Sequence, residues 1–174
     1  MSQNKTTAMK LYETSDKVYE VNEALVGYMK TFDRGKNISW QNMRYSEVLN
    51  DKLLVAMAIR KGVTNSLFYE IKTNSPFNET QWSEFLNINL RTLQRYKNDK
   101  NHVFKPLQSE RIFELAEVVS AGNAIFDSPE YFQLWLNSPS VALANEKPID
   151  LLDSSYGKEL VLAELNRIEH GIFV

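Results

Sequence analysis

Residues 78–96, which read NETQWSEFLNINLRTLQRY, decide the fold. Apolar side chains recur there at helical spacing in two short runs, first Trp82, Phe85 and Leu86 and then Leu93 and Tyr96. Between the runs, Asn87 stands where a tight turn needs a left-handed residue, and Asn89 is a suitable N-cap for a second helix. The small Ser83 leaves room for the two helices to cross closely. Together these features predict a helix-turn-helix.

The outward face of the second helix is predicted to bind DNA. Its polar side chains follow the i, i+3, i+4, i+7 spacing of one helix face: Arg91, Gln94, Arg95 and Asn98. Arginine can bond the guanine edge twice, glutamine and asparagine can read adenine, and the lysines that follow suit phosphates. The predicted DNA-binding residues are Arg91, Thr92, Gln94, Arg95, Lys97, Asn98 and Lys100. The alternative interpretation is a pair of ordinary packed helices with a polar outside.

Hydrophobic periodicity predicts further helices on both sides of this motif, so the predicted fold class is all-α. They span residues 16–32, 49–60, 66–73, a long stretch after Pro106, a stretch opened by Ser128 and Pro129, and residues 155–169. The long helix is predicted to turn Glu110, Glu114 and Glu117 to solvent. The helix after it is predicted to face the core with Tyr131, Phe132, Leu134, Trp135 and Leu136. The remaining segments are a mobile polar arm at 1–14, a break at Gly35 and Asn37, an ambiguous stretch at 38–45 and a connector at 148–152.

Composition excludes several classes of function. The 174 residues contain no cysteine, which rules out disulfides and thiolate chemistry, and two histidines argue against a histidine metal cluster. The glycines are scattered and form no phosphate-binding loop, while Glu169 and His170 are helix neighbours that face different directions. We therefore predict no enzymatic activity, no catalytic residue, no metal and no cofactor.

Hydropathy gives the expected location. No apolar run approaches the roughly 20 residues that a membrane span needs. The N-terminal region is polar and has no hydrophobic signal-peptide segment. These features predict a cytoplasmic protein without a membrane partner, and the length suits one domain or two small ones.

Charge is distributed unevenly along the chain. Residues 1–66 carry ten Lys or Arg and seven Asp or Glu, and residues 67–105 carry six and four. Residues 106–174 carry only four basic residues against eleven acidic ones. Such a split suggests two surfaces with different partners, nucleic acid for the basic part and a basic protein surface for the acidic part. The alternative is that solvated helix faces differ in sign without a functional reason.

Ordered motifs in the C-terminal two thirds point to a family. They are KPIDLLDSSYGK at 147–158, RIEHG at 167–171, WLNSP at 135–139, SERI at 109–112 and LRTLQRY at 90–96. Over about residues 50–174 the chain thereby resembles the Xre/MbcA/ParS family of bacterial antitoxins. Asn87 stands where that family usually has a turn glycine, and Ile149 where leucine is common.

The resemblance implies a two-part antitoxin. Residues 50–105 would form an Xre-like helix-turn-helix domain on operator double-stranded DNA, most simply as a homodimer that represses its own operon. Residues 106–174 would bind a cognate RES-type, NAD-consuming toxin and cover its active site; some relatives pair with ADP-ribosylating toxins. The implied toxin-binding residues are Asp150, Asp153, Tyr156, Gly157, Arg167, Glu169, His170, Gly171, Ile172, Phe173 and Val174. The resemblance does not extend to residues 1–49, an arm and a helix, which could dimerise, contact the toxin or brace the helix-turn-helix.

Several single residues have a structural interpretation beside the functional one. Leu151 and Leu152 are predicted to be core residues, whereas the tail at 172–174 is predicted to contact the partner. His102 is predicted to lie exposed or phosphate-facing in a basic loop, and Trp40, Trp82 and Trp135 to anchor the core. The alternative function is a free-standing helix-turn-helix regulator whose C-terminal domain dimerises or binds a ligand. A neighbouring gene for a small NAD-consuming toxin would separate the two.

Overall fold

The computed structural model describes residues 23–31 and 45–172, and its regular secondary structure there is entirely helical. The helices are α1 (23–30), α2 (Tyr45–Asn50), α3 (Lys52–Lys61), α4 (Asn65–Thr73), α5 (Glu79–Phe85), α6 (Leu90–Tyr96), α7 (Pro106–Ile125), α8 (Pro129–Leu136), α9 (Pro148–Leu151) and α10 (Ser155–Glu169), with a 3-10 turn at Val141–Leu143. The all-α prediction is confirmed. The predictions for the arm at 1–14, the break at Gly35 and Asn37, Trp40, Phe173 and Val174 lie outside the described residues.

Capping residues explain most helix boundaries. The side chains of Asn78, Asn89, Ser128 and Ser154 each accept a hydrogen bond from the backbone near the start of a helix. Asp51 does the same for Leu54 N at 3.0 Å, and this cap divides the predicted helix 49–60 into α2 and α3. The predicted connector at 148–152 is also corrected, since it contains the short helix α9, opened by Pro148.

Helix α7 is the centre of the fold. It packs against α2, α3, α8 and α10, and it is buried along most of its length. Of the three glutamates predicted to face solvent, only Glu110 is exposed. Glu114 pairs with Arg111 at 2.8 Å, and Glu117 lies between two lysines, so both carboxylates are largely covered. The prediction failed because helices cover α7 on more than one side, which a single amphipathic pattern does not anticipate.

Helix α8 corrects a second prediction. Phe132 and Leu136 are fully buried, but Tyr131 and Leu134 are 63% and 65% exposed, and Trp135 is half-buried. An eight-residue helix that rests on a core by one stripe can bury only about half of its side chains. Helix α8 therefore carries apolar side chains, Tyr131 and Leu134, that do not pack into the core.

An aromatic cluster supports α5 and α6 from below. Trp82 is fully buried, packs edge-to-face on Phe68 with ring centroids 5.2 Å apart, and donates from Nε1 to Ser75 Oγ at 3.0 Å. Phe68 also packs on Phe104 at 4.7 Å. Each ring contributes large apolar burial and a preferred geometry. The cluster holds the buried sides of α5 and α6 against the core.

No helix among the described residues is long and apolar enough to cross a bilayer.

Candidate functional site

The turn between α5 and α6 has the predicted geometry. Asn87 has a positive φ of 49°, and the next backbone N–H, of Ile88, donates to the carbonyl oxygen of Ser83 at 3.0 Å. Asn89 then caps α6 by accepting from Arg91 N at 2.9 Å. Asparagine tolerates the left-handed conformation better than most residues, so it replaces a turn glycine here. The helix-turn-helix prediction is confirmed.

The outward face of α6 presents three of the predicted DNA-binding side chains. Arg91, Gln94 and Arg95 are exposed on the helix, and Thr92 is half-buried. The helix ends at Tyr96, so the predicted continuation of the face to an i+7 position is wrong. Asn98, Lys97 and Lys100 instead lie exposed in the turns that follow. The result is a short polar helix face with basic side chains beyond its C-terminal end.

A carboxylate that the sequence pattern did not reveal lies beside this face. Glu79, at the start of α5, accepts a hydrogen bond from Gln94 Nε2 to its Oε2 at 3.3 Å. Its Oε1 pairs with Lys72 Nζ at 3.2 Å. These two partners, Gln94 first, hold the pKa of Glu79 below its usual value, with a further contribution from Lys97. The carboxyl group is therefore ionised at neutral pH.

His102 is a packing residue rather than an exposed loop residue, which corrects the prediction. Its ring stacks on Tyr96 with centroids 3.5 Å apart and meets the edge of Phe104 at 4.8 Å. Burial lowers the pKa of His102, while Asp99 acts in the raising direction and Arg95 in the lowering direction. The stack ties the chain that follows α6 back to the helix.

The predicted toxin-binding residues form two groups that the fold does not bring together. Asp150, Asp153 and Tyr156 lie at the N-terminal end of α10, and residues 167–172 lie at its C-terminal end. A helix rises about 1.5 Å per residue, so the groups are about 20 Å apart. A partner would have to span α10 to contact both.

Several of these residues have an internal role. A Cβ atom on Gly157 would clash with the carbonyl oxygen of Leu151, so this buried glycine allows α9 to approach α10 and offers no exposed surface. Arg167 pairs with the buried Glu164. Gly171 ends α10 with φ 68°, and Ile172 N donates to the carbonyl oxygen of Arg167 at 2.9 Å.

The C-terminal part also exposes large apolar side chains. On α10 they are Tyr156, which is 86% exposed, and Leu160 one turn later. Elsewhere they are Leu107, Tyr131, Leu134, Val141 and Ile172. Leu152 is buried and Leu151 packs against the core from a half-buried position. Tyr156 and Leu160 are four positions apart and so lie on one face of α10, and contiguous exposed apolar side chains are typical of surfaces that bind a partner.

Asp150 and Asp153 line a cleft that reaches the helix-turn-helix. The cleft has a volume of about 350 Å³ and is also lined by Glu84 and Phe85 of α5 and by Lys147. Among the described residues, no group of three or more His, Cys, Asp or Glu side chains is arranged to hold a metal ion.

Comparison with known proteins agrees with this architecture. Residues 55–117 match the family described as the antitoxin Xre-like helix-turn-helix domain, and residues 121–171 match the antitoxin Xre/MbcA/ParS C-terminal toxin-binding domain. The chain is similar to the Prs ADP-ribosylating antitoxin of Sphingobium sp. (strain YBL2), with 31% identity over 124 residues, which cover 66% of this chain and 77% of that protein. Both matched domains meet within α7, the helix that packs against both halves. The chain belongs to the Xre/MbcA/ParS-type antitoxin family.

Proposed function

We propose that this protein neutralises a cognate NAD-consuming toxin by direct binding and represses its own operon through α5 and α6. The order of the two matched domains, a DNA-binding type followed by a toxin-binding type, carries the proposal. The proposal includes a homodimer in the cytoplasm, with no enzymatic activity of its own. It also keeps the division into residues 1–49, 50–105 and 106–174.

The proposed toxin is of the RES type. The relative from Sphingobium is described as an antitoxin linked to ADP-ribosylation of Prs, and ADP-ribosylation consumes NAD as its donor. Both kinds of toxin therefore need a cleft that binds an anionic dinucleotide. Such a cleft is expected to be basic, which suits exposed acidic residues of 106–174 such as Asp150, Asp153 and Glu169.

Covering that cleft is the proposed mode of neutralisation. Tyr156 at one end of α10 and Ile172 at the other provide exposed apolar anchors, and Asp150, Asp153 and Glu169 provide exposed negative charge near them. A toxin that contacts both ends would be held across the length of α10. The bound antitoxin would then block access of NAD to the toxin's cleft sterically, without modifying the toxin.

Operator binding is proposed to use Arg91 and Arg95 for base edges and Lys97 and Lys100 for phosphates. A two-fold dimer would place two α6 helices on half-sites separated by about 34–36 Å, or one turn of DNA. Replacing Lys97 or Lys100 by alanine should make the affinity for DNA less dependent on salt concentration.

The test is co-expression with the product of the adjacent reading frame. We expect that product to stop growth alone and to be harmless together with this protein. Arg91→Ala with Arg95→Ala should lose operator binding but keep neutralisation, whereas Arg60→Ala, an exposed arginine outside α6, should change neither. Loss of neutralisation in the α6 variant would contradict the two-part interpretation.

A matched pair tests the toxin-binding surface. Ile172 and Leu53 are 57% and 58% exposed, so an aspartate at either position should disturb the fold equally little. Ile172→Asp should weaken co-purification with the toxin, and Leu53→Asp should not. Full neutralisation by Ile172→Asp would remove the tail from the proposed surface, and Tyr156→Asp then tests the other end of α10.

A further inference from the structure

We propose that Glu79 is a positioning residue for base recognition: it holds the amide of Gln94 in the orientation that reads adenine, or secondarily cytosine, on one strand of the operator. This inference rests on the proposed DNA binding by α6. Glu79 also pairs with Lys72, but a carboxylate beside a DNA-binding face repels phosphates, and the proposed role gives a reason for its position next to Gln94.

The turn between α5 and α6 brings the two side chains together. Gln94 is exposed on the outward face of α6, and its Nε2 lies 3.3 Å from Glu79 Oε2. Glu79 is itself fixed from the other side by Lys72, whose side chain is only 17% exposed and lies over the ring of Tyr69. Each carboxylate oxygen of Glu79 thus has one partner, and these two contacts place the partly exposed carboxylate beside the Gln94 amide.

An ionised carboxylate only accepts hydrogen bonds, so the nitrogen of the Gln94 amide must face Glu79. The amide oxygen is then directed to the opposite side. The reverse orientation would place two acceptors against each other. A glutamine without this neighbour could turn its amide by half a turn and present either set of groups to DNA.

The fixed orientation selects among base edges. In the major groove, adenine N6 and cytosine N4 are donors, whereas guanine and thymine offer only acceptors at N7 and O6 or at O4. An outward amide oxygen pairs with the donors, and the second N–H of the amide can also reach adenine N7. Glu79 therefore favours a base with an amino group over a base with a keto group at the position that Gln94 contacts.

The experiment is selection of binding sites from a randomised DNA duplex library with the full chain. We expect wild type to prefer adenine or cytosine over guanine or thymine at one strand position, by roughly 5- to 100-fold. Gln94→Ala should remove the preference at that position alone. Glu79→Gln should reduce it at least about threefold, because a neutral amide can pair with Gln94 in either orientation.

The matched control is Glu84→Gln, which removes the same charge from an exposed position of the same helix. It should leave every base preference unchanged, although both variants should bind DNA of any sequence somewhat more tightly. Thermal unfolding of each variant, together with Glu79→Ala, verifies that α5 and α6 stay folded.

Two results would overturn the inference while leaving DNA binding intact. One is that Glu79→Gln and Glu79→Ala change affinity for all sites equally and keep the base preference, which would make Glu79 a purely structural residue. The other is a preference for guanine or thymine at the position that depends on Gln94. If wild type enriches no sequence at all, the proposed operator binding fails and this inference fails with it.

Discussion

The helix-turn-helix half and the C-terminal half present different surfaces to their partners. On α6 the exposed side chains are Arg91, Gln94 and Arg95, and the apolar residue between them, Leu93, is buried. On α8 and α10 the exposed side chains include the apolar Leu134, Tyr156 and Leu160. The exposed face of α6 is therefore polar and charged, whereas α8 and α10 expose apolar side chains to solvent.

This difference corresponds to the chemistry of the two kinds of partner. DNA is bound by Lys and Arg side chains that neutralise phosphates and release the counterions condensed on DNA. A protein partner is bound chiefly through apolar anchors that are desolvated in the interface. The acidic character of 106–174 would add selectivity for the basic cleft proposed for the toxin and would discourage contact with DNA. Each of the two surfaces is therefore suited to one class of partner and unsuited to the other.

The largest expected effect comes from removing one tryptophan from each half. Trp82 is fully buried against Phe68 and Phe77, so Trp82→Ala should lower the free energy of unfolding by about 3–5 kcal/mol. Trp135 is half-buried, stacks on Phe132 and contacts Phe126 at a tilt, so Trp135→Ala should lower it by only about 1–2 kcal/mol. Chemical denaturation of both variants measures the two values.

Relative to their losses of stability, Trp135→Ala should weaken toxin binding more than Trp82→Ala does. Trp135→Ala removes part of the exposed apolar surface of α8, and it should weaken toxin binding more than its effect on stability accounts for. If Trp82→Ala and Trp135→Ala lost equal stability, the difference in burial between the two tryptophans would not explain their roles.

Local signals allowed much of the fold to be predicted from the sequence. Asn87, Asn89, Ser128 and Gly171 act through their own backbone or that of near neighbours, and each has the predicted place. The all-α class and the bounds of α10 follow from the same kind of information. The family motifs then gave the order of the two domains.

Contacts between distant residues could not be predicted in the same way. Glu79 and Gln94 are 15 positions apart, and Lys52 and Glu117 are 65 apart. The exposure of Tyr131 depends on which neighbours cover α8, and hydrophobic spacing does not contain that information. The structure places Arg91, Gln94 and Arg95 on the exposed face of α6, and their contact with DNA stays a prediction. The carboxylate beside them was not predicted.

A pair of glycines tests how tightly the C-terminal half is built. Gly157→Ala places a methyl group against the backbone of Leu151, which cannot move as a side chain can, and should cost about 1–3 kcal/mol. Gly171→Ala meets open space and should cost only the left-handed backbone conformation, about 1 kcal/mol. Thermal unfolding measures both. A smaller loss for Gly157→Ala than for Gly171→Ala would contradict the close approach of α9 to α10.

The smallest expected effect concerns the pH dependence of the helix-turn-helix half. Burial lowers the pKa of His102 from its ordinary value of 6.5, so the unfolded chain takes up a proton at a higher pH than the folded chain does. This contribution to stability is complete above pH 6.5 and is lost as the pH falls toward the folded pKa. His102→Phe keeps a ring to stack on Tyr96 but cannot titrate, so the difference in denaturation midpoint between wild type and variant should change between pH 7.5 and pH 5.5.

The other histidine supplies the control for that measurement. His170 is exposed at the C-terminal cap of α10, in the other half of the molecule, where its Nδ1 lies 2.8 Å from the carbonyl oxygen of Asn166. His170→Gln leaves the ring of His102 in place, so the pH dependence that comes from His102 should remain in this variant. If His102→Phe shows the same pH dependence as wild type, burial of His102 makes no contribution, and the aromatic stack beneath α6 holds equally well with a charged ring.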